Sequence, residues 1–243
     1  MSVPRFHAPD IRDGDARVVL PPDEAHHLRD VLRLRSGDAV HVFDGVGREW
    51  AGSVVAAARR EVAIDVARAV TPVPEPPVRV TLYAGLLRGD QMDAVVRDAT
   101  MLGVHAIVPL ISGHVAVPKR ATGSGAAVTR WQRVALASVK QCGRAVLPAI
   151  SDPATFDAAV RNEQAGPMLI CLEPSRAGEE PWPDQPRPPA VRLLIGPEGG
   201  WSVEEVAAAR RHGAQALSLG PRTLRAETAP VVALTKLWTR WGW

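Results

Sequence analysis

The chain has few cysteines and no long apolar run. Its 243 residues include only Cys142 and Cys171, too few for a disulfide framework or a zinc cluster. No stretch of about 18 uninterrupted apolar residues occurs, which argues against a transmembrane helix. The first residues, MSVPRFHAPDIRDGD, carry charges where a signal peptide needs an apolar segment. We therefore expect a soluble, cytoplasmic protein with reduced cysteines and no bound metal.

Acidic side chains are missing from one long central segment. No carboxylate lies between Asp98 and Asp152, although six basic residues do, namely Lys119, Arg120, Arg130, Arg133, Lys140 and Arg144. Residues 1–72, by contrast, carry 10 basic and 11 acidic side chains. A basic segment without counter-charges is typical of a surface that binds a polyanion, so nucleic acid is the favoured partner. The alternative is a solvated surface whose acidic partners come from elsewhere in the fold.

Proline marks the clearest boundary in the chain. Residues 71–77, TPVPEPP, contain four prolines in seven positions and predict a stiff linker. One helix, Pro22–Val31, lies among four short strands before this linker. Turn signals separate the strands, which we predict at Ala16–Leu20, Ala39–Phe43, Glu49–Val55 and Val62–Ala67. Short strands at this spacing predict a small β-barrel.

After the linker, apolar strands alternate with amphipathic helices. The predicted strands are Val78–Ala84, Ala106–Leu110, Met168–Leu172, Val191–Ile195 and Ala216–Leu219. The predicted helices are Asp90–Leu102, Thr129–Cys142, Val203–His212 and Thr228–Trp241. This alternation predicts an α/β domain with a mainly parallel sheet, in which ligands bind at the carboxyl ends of the strands.

The loop after one buried strand is rich in glycine. In LIGPEGGWSVEEV, residues 194–206, the strand ends at Ile195 and a turn follows, and Ser202 and Glu205 form a capping box that opens a helix. Glycine lets the backbone approach a ligand closely. The loop matches neither GxGxxG nor a Walker sequence, so a dinucleotide or triphosphate site is not supported. A tight turn without a ligand is the alternative.

A second loop, LGPRTLRAETA at residues 219–229, also follows a strand and precedes a helix. Loops at the ends of consecutive strands form the walls of one pocket, and Arg222, Arg225 and Glu227 would then place charge beside it. The alternative is a set of surface ion pairs, which contribute little to stability.

These two loops resemble the C-terminal signature of the ribosomal RNA small-subunit uracil-N3 methyltransferases, which belong to the SPOUT (trefoil-knotted) class. The resemblance covers nearly the whole chain. Further matching segments occur in the expected order: Pro4-Arg5-Phe6, Glu24-Ala25-His26-His27-Leu28, Val31-Leu32-Arg33-Leu34, Gly37-Asp38, Phe43-Asp44-Gly45, Arg88-Gly89-Asp90, Met92-Asp93, Ala99-Thr100, Leu102-Gly103-Val104, Gln141 and Gly143-Arg144.

The resemblance implies a PUA-like β-barrel over residues 1–72 and a SPOUT α/β domain with a C-terminal trefoil knot over residues 73–243. It also implies a homodimer and S-adenosyl-L-methionine as the methyl donor, held by the backbone of three loops. The residues expected to bind this cofactor are Leu172, Glu173, Ile195, Gly196, Pro197, Gly199, Gly200, Leu219, Gly220, Leu224, Ala226, Thr228 and Ala229.

The implied reaction places demands on nearby charges. Uracil N3 carries a proton at neutral pH and is a poor nucleophile until that proton leaves, so the enzyme needs a base or donors that stabilise the uracil anion. Glu227 or Glu198 would accept the proton or orient an arginine. Arg225 and Arg222 would stabilise the anion or position RNA. Contacts to RNA are expected from Gln141 and Arg144 and, through phosphates, from Lys119, Arg120, Arg130 and Arg133.

The chain also departs from the family's usual residues. Met101 and Lys140 stand where the family commonly has glutamate, and Cys142 stands where it has serine. Loss of two carboxylates argues against an obligatory catalytic role at those positions. Two other functions stay open, namely a SPOUT enzyme with another RNA target, such as a ribose 2′-oxygen, and a non-catalytic RNA-binding ribosome-assembly factor. The last would show no saturable binding of S-adenosylmethionine.

Overall fold

The structure is a computed structural model that describes residues 3–57, 61–114, 125–162, 166–177 and 186–243. The chain divides into two units. One comprises Met1–Glu75 and Val139–Leu147, and the other comprises Pro76–Ser138 and Pro148–Trp243. The sequence analysis placed residues 139–147 with the second part of the chain, whereas they lie in the first unit. The domain boundary after residue 72 stays a prediction.

The first unit is a mixed half-barrel. Its strands are β1 (Arg5–His7), β2 (Arg17–Val19), β3 (Ala39–Phe43), β4 (Glu49–Ala57) and β5 (Val62–Val70), in the order β1-β3-β4-β5-β2. Only β1 and β3 are parallel. Helix α1 (Pro22–His26) continues as a π-helical turn, His27–Val31. The sequence predicted every strand except β1, whose three residues are too short for a period to be visible.

Alternation along these strands builds the core of the first unit. Phe6, Val40, Val42 and Ile64 are fully buried, together with Leu28 from the π-helical turn. Register shifts at Ala51/Gly52 and Val54/Ala56 mark bulges in β4, and such bulges bend a strand and increase its twist. The bends curve the sheet, so that the apolar side chains at every second strand position surround a single core.

Arg5 joins residues 139–147 to the half-barrel. Its guanidinium donates to Glu49 at 3.0 and 2.8 Å and to the backbone oxygens of Val139 and Arg144 at 2.8 Å each. Burial opposes ionisation of Glu49, but hydrogen bonds from Arg5 and His41 outweigh it and lower the pKa of this carboxyl. One largely covered arginine therefore binds a carboxylate of β4 and two backbone carbonyls of residues 139–147.

The second unit is a parallel α/β sheet, as predicted. Its strands are β6 (Arg79–Gly85), β7 (Ala106–Ile111), β8 (Ala149–Ile150), β9 (Ala154–Thr155), β10 (Met168–Cys171), β11 (Ala190–Ile195) and β12 (Gln215–Leu217). The order is β12-β10-β11-β6-β7-β8, and β9 also pairs with β7. Every pairing is parallel. The short strands β8 and β9 were not predicted.

Helices cover both faces of this sheet. They are α2 (Gln91–Met101), α3 (Gly125–Cys142), α4 (Phe156–Arg161), α5 (Pro174–Ala177), α6 (Val203–Arg211) and α7 (Ala229–Trp241), and residues 139–142 of α3 lie in the first unit. Alternate residues of β11 face opposite sides, because Leu193 and Ile195 pack in one apolar cluster and Leu194 in the other. Among the helices that the structure describes, none combines the length and the apolar character needed to cross a membrane.

Trp238 on α7 lies in the core of its own chain. Its indole N–H donates to the backbone oxygen of Leu102 at 2.7 Å. This bond anchors α7 against the end of α2.

Candidate active site

A cavity of about 420 Å³ lies in the second unit, where β10, β11 and β12 end. We call it the loop cavity. Three loops supply most of its walls: residues 172–176 after β10, residues 196–201 after β11, and residues 219–229 between β12 and α7. The predicted pocket at the carboxyl ends of parallel strands is therefore present, and its size is that of a small-molecule site.

Most of the predicted cofactor residues line this cavity. They are Leu172, Glu173, Ile195, Gly196, Pro197, Gly200, Leu219, Gly220, Leu224, Ala226 and Ala229. Gly199 and Thr228 do not line it. The predicted charged residues Glu198, Arg222, Arg225 and Glu227 do, and so do Gln91 and Arg176, which the sequence analysis did not select.

Trp201 fixes the loop after β11. Its ring packs on Phe156 with centroids 5.2 Å apart, and its indole N–H donates to the backbone oxygen of Cys171 at 3.0 Å. A Cβ on Gly196 would lie 3.2 Å from the Trp201 ring, closer than most side chains allow. Glycine at position 196 therefore lets the backbone of the cavity wall lie against this indole.

Gly199 serves a packing purpose outside the cavity. A Cβ there would lie 2.8 Å from Cβ of His114, and Nδ1 of His114 is 3.1 Å from the Gly199 oxygen. The capping box is confirmed, since Ser202 and Glu205 exchange bonds at 2.9 and 3.1 Å. The other oxygen of Glu205 accepts the backbone N–H of Gly113 at 2.8 Å. The loop after β7 thus braces the glycine-rich loop from behind.

Gly85, at the end of β6, is a site residue that the sequence analysis missed. A Cβ on Gly85 would lie 2.4 Å from the backbone nitrogen of Pro197, a distance that real side chains do not reach. The end of β6 and the loop after β11 are therefore in direct backbone contact. A glycine at the end of a buried strand was the available signal, although the same pattern also occurs in ordinary turns.

The loop after β10 contributes the carboxylate of Glu173 and the side chain of Arg176, which binds to the neighbouring loop. Oε1 of Glu173 lies 3.0 Å from the position of a Cβ on Gly200, whose φ is +67°. Arg176 donates to the backbone oxygens of Trp201 at 2.6 Å and Ser202 at 3.3 Å, which ties α5 to the start of α6. Burial raises the pKa of the Cys171 thiol to about 12, so this thiol stays protonated and is no nucleophile.

The third loop leads directly into α7. The backbone oxygen of Arg225 accepts the N–H groups of Thr228 and Ala229 at 3.0 Å each, which forms the turn that precedes that helix. Leu219, Leu224 and Ala226 pack against the sheet's core cluster. Thr228 thus closes a turn through its backbone instead of lining the cavity.

Among the described residues, six charged side chains line the loop cavity: Glu173, Arg176, Glu198, Arg222, Arg225 and Glu227. The side chain of Arg225 is 84% exposed, whereas that of Glu227 is 21% exposed. Nη1 of Arg225 lies 3.9 Å from Oε1 of Glu227. This separation is too long for a hydrogen bond. Both groups therefore keep bonding capacity for a substrate.

The predicted RNA-binding residues do not form one set. Lys119 and Arg120 lie outside the described residues. Arg133 and Gln141 are exposed on α3, whereas Arg130 forms an ion pair with Asp93. Lys140 donates to both oxygens of Glu24 at 3.0 and 2.9 Å within the first unit. For Arg130 and Lys140, acidic partners thus come from other parts of the fold.

Arg144 requires a correction. It was predicted to contact RNA, but only 5% of its side chain is exposed, and its guanidinium donates to Glu75 at 2.9 and 2.5 Å. A buried arginine whose donors are directed at a carboxylate is not presented to a phosphate. Glu75 belongs to the proline-rich linker, so the pair fastens that segment to residues 139–147 of the same unit.

The loop cavity fits S-adenosylmethionine in its chemistry. Apolar side chains, including Leu172, Ile195 and Leu224, offer surface to a purine ring, while Gly196, Gly200 and Gly220 line the cavity without a side chain. Carboxylates on the wall complement a positively charged sulfonium and amino group. Within the described ranges, no three His, Cys, Asp or Glu side chains converge as metal ligands.

Comparisons with known proteins identify the family of the chain. A family model described as an RNA methyltransferase domain matches residues 74–238, and one described as an RNA methyltransferase PUA domain matches residues 20–67. Ribosomal RNA small subunit methyltransferase E of Synechocystis sp. is 34% identical over 231 residues, which cover 92% of this chain and 73% of that protein.

Two solved structures are similar over nearly the whole chain. One is a methyltransferase from Legionella pneumophila in complex with the bound cofactor SAM, at 31% identity and a TM-score of 0.90, covering 99% of this chain and 98% of that one. The other, with the same values, is a ribosomal RNA small subunit methyltransferase E from Neisseria gonorrhoeae bound to S-adenosyl methionine. The chain therefore belongs to the RNA methyltransferase family that includes ribosomal RNA small subunit methyltransferase E.

Proposed function

We propose that the protein transfers a methyl group from S-adenosylmethionine to N3 of a uridine in small-subunit (16S) ribosomal RNA. The observation that carries this proposal is the loop cavity itself. Glycine-lined walls for a cofactor and a group of carboxylates and arginines for a base anion occur together in it. The ribosomal RNA relatives favour the same substrate class.

S-adenosylmethionine, when bound, supplies a methyl group on a sulfonium sulfur that leaves as a neutral thioether. The backbone and apolar side chains of the three loops would hold it, through the lining residues predicted from the sequence. Gly199 would act indirectly, by letting its loop pack on His114, and Thr228 by closing the turn before α7. These contacts position the donor without a charged phosphate cradle.

The side chains of the cavity supply the remaining chemistry. A carboxylate, Glu227 or Glu198, takes the proton from uracil N3, and the negative charge that develops on the uracil oxygens is stabilised by Arg225 or Arg222. Arg225 suits this role because its guanidinium is largely exposed and is not hydrogen-bonded to Glu227. The target base must be turned out of its stack to reach such a cavity.

RNA is bound, in this proposal, by the PUA-like unit of residues 1–72 and by basic side chains of the methyltransferase domain of residues 73–243. The exposed Arg133 supports such a contact in the second unit, and the exposed Gln141 is retained as a proposed contact of the first unit. Lys119 and Arg120 are retained as proposed phosphate contacts. Such contacts give affinity without reading sequence.

We further propose that the C-terminus forms a trefoil knot. Strand β12 lies at the edge of the sheet beyond β10, whereas α7, which follows β12, is bonded to the end of α2. Residues 218–228 must therefore return across the ends of β10 and β11. This return path is the one that a knot requires, and S-adenosylmethionine would be held by the same crossing loops.

A homodimer in the cytoplasm completes the proposal. One face of α7 is packed in the core, while its other face borders an open apolar depression of about 560 Å³ formed by Val231, Val232, Thr235, Lys236, Thr239 and Arg240. An apolar surface of this kind suits a second copy of the chain. Sedimentation at micromolar concentration should show a dimer, and a monomer would contradict this part of the proposal.

Methyl transfer to small subunits from a strain that lacks the protein tests the function. A methyl group on N3 blocks Watson–Crick pairing, so reverse transcription of the treated RNA should stop at one new position. Large subunits serve as the control substrate and should show no new stop. If methyl groups from labelled S-adenosylmethionine enter the RNA but reverse transcription shows no new stop, methylation at N3 is contradicted.

A further inference from the structure

Gln91 lies between the two carboxylates of the loop cavity. It is the first residue of α2, and its carboxamide reaches Glu198 in the loop after β11 and Glu227 in the loop before α7. Glu198 is exposed, whereas Glu227 is largely covered. The two candidate proton acceptors therefore differ in solvation and share one neighbour.

The hydrogen bonds of the carboxamide favour one of its two orientations. With Nε2 toward Glu227, it donates one bond, at 3.4 Å to Oε2, and its oxygen faces Oε1 of Glu198 and the backbone oxygen of Arg88, which are both acceptors. With the amide reversed, Nε2 donates to Glu198 at 3.0 Å and to the Arg88 oxygen at 3.2 Å. The reversed orientation makes two bonds instead of one and leaves one contact between acceptors, with Glu227, instead of two, so it is favoured.

In this orientation, the carboxamide of Gln91 presents its N–H group to Glu198 and its oxygen to Glu227. Glu198 accepts a hydrogen bond from the N–H of the carboxamide. Glu227 instead faces the carbonyl oxygen of Gln91, which can form a hydrogen bond with that carboxyl only when the carboxyl carries a proton. We propose that Gln91 is a positioning residue that makes Glu227, and not Glu198, the group that accepts the uracil proton. This assignment rests on the function proposed above.

Other charges around Glu227 are consistent with this role. The cavity's charged groups facing this region are Arg225 and Arg222 in its own loop, Glu198 in the loop after β11, and Glu173 and Arg176 in the loop after β10. Arg225 is 3.9 Å from Glu227 and forms no hydrogen bond to it. Arg176 is engaged with the backbone of Trp201 and Ser202. Gln91 thus remains the close neutral contact of Glu227.

The N3–H bond of the uracil breaks and leaves its electron pair on N3, which becomes the nucleophile. The proton forms an O–H bond with a carboxylate oxygen of Glu227, and this O–H donates to the oxygen of Gln91. After the reaction the proton passes to solvent and restores the carboxylate.

Single-turnover methylation of small subunits between pH 5 and 9, with 3-methyluridine measured at each pH, tests the assignment. We expect E227Q to lower the rate at neutral pH by about 100-fold or more and E198Q to lower it by less than about fivefold. Q91M removes the amide oxygen that accepts a hydrogen bond from protonated Glu227. It should reduce the maximal rate by about tenfold and move the acid-side decline to lower pH.

Q91E is the complementary variant, since it adds a negative charge beside Glu227. It should move the acid-side decline to higher pH, opposite to Q91M, because a nearby like charge favours the protonated carboxyl. A merely structural role for Gln91 would not produce opposite shifts. Calorimetry should show that Q91M binds S-adenosylmethionine within about threefold of the unaltered protein, and Q215M, on strand β12, serves as the matched control with an unaltered pH profile.

These experiments distinguish a failure of the assignment of Glu227 as proton acceptor from a failure of the proposed function. If the unaltered protein forms no 3-methyluridine, the proposed function fails and the assignment fails with it. If the unaltered protein forms it but E198Q is the inactive variant, or if both Gln91 variants keep the original pH profile, the assignment alone is overturned.

Discussion

The indole N–H of Trp201 donates to the backbone oxygen of Cys171 at 3.0 Å, and this bond joins two walls of the loop cavity. Cys171 ends β10, and Trp201 follows the glycine-rich loop after β11. Both residues are buried. Both residues also line the cavity, so this bond fixes two of its walls to each other.

Replacing Trp201 by phenylalanine should loosen this connection. W201F keeps an aromatic ring but leaves the Cys171 oxygen without its donor, so the free energy of unfolding should fall by about 1–2 kcal/mol. Affinity for S-adenosylmethionine should fall as well, because the two walls are no longer fixed to each other. Urea denaturation and calorimetry measure these effects. W243F, at an exposed tryptophan, is the control and should change neither quantity.

Gly85 provides a test of backbone contact. An alanine Cβ would have to displace the backbone of Pro197, so G85A should destabilise the protein by about 1–3 kcal/mol and weaken cofactor binding by about tenfold or more. G125A is the matched control, since a Cβ on Gly125 meets no atom within 4 Å. Cofactor binding by G85A equal to that of G125A would show that the β6 end does not shape the cavity.

The Arg144–Glu75 pair distinguishes a structural arginine from an RNA contact. E75Q leaves a buried guanidinium without its counter-charge and should lower the free energy of unfolding by about 2 kcal/mol. E61Q, at an exposed glutamate of the same unit, should change it by less than about 0.5 kcal/mol. Conversely, R133A should leave stability unchanged and weaken RNA binding. Unchanged stability in E75Q would contradict the structural role of the Arg144–Glu75 pair.

Two histidines make stability depend on pH. Burial lowers the pKa of His7 and of His27 below the ordinary value of 6.5. The unfolded chain therefore binds more protons once the pH falls below about 6.5, so the free energy of unfolding should decrease from pH 7 to pH 5. Denaturant titrations should show this decrease, which becomes smaller in H7Q/H27Q. H212Q, at an exposed histidine, should keep the full dependence.

Periodicity and turn signals identified most of the fold before the structure. Every predicted helix and strand is present, because residues such as Val80, Leu82 and Leu193 follow the two-residue period of strands or the helical period. The three-residue β1 and the two-residue β8 and β9 were missed because they are too short to show a period. The order of the strands within each sheet was not predicted either, because local patterns do not encode which strands pair.

The site was predicted in part for a related reason. Gly196 and Gly220 stand in recognisable loops, so the cavity's walls could be named. Gln91 and Gly85 were missed because their importance depends on Glu198 and Pro197, which are more than 100 residues away in sequence. The opposite error occurred with Arg144, which looked unpaired because its partner, Glu75, lies 69 residues earlier. Local sequence shows charge but not the distant residue that neutralises it.

The most direct test of the central claim is the nucleoside composition of small-subunit RNA. Small subunits from a strain without the protein should be treated with the purified protein and S-adenosylmethionine, digested, and analysed by mass spectrometry. The account predicts one 3-methyluridine per subunit with the unaltered protein and almost none with E227Q. A different methylated nucleoside, or no new one with either small subunits or free RNA, would contradict it.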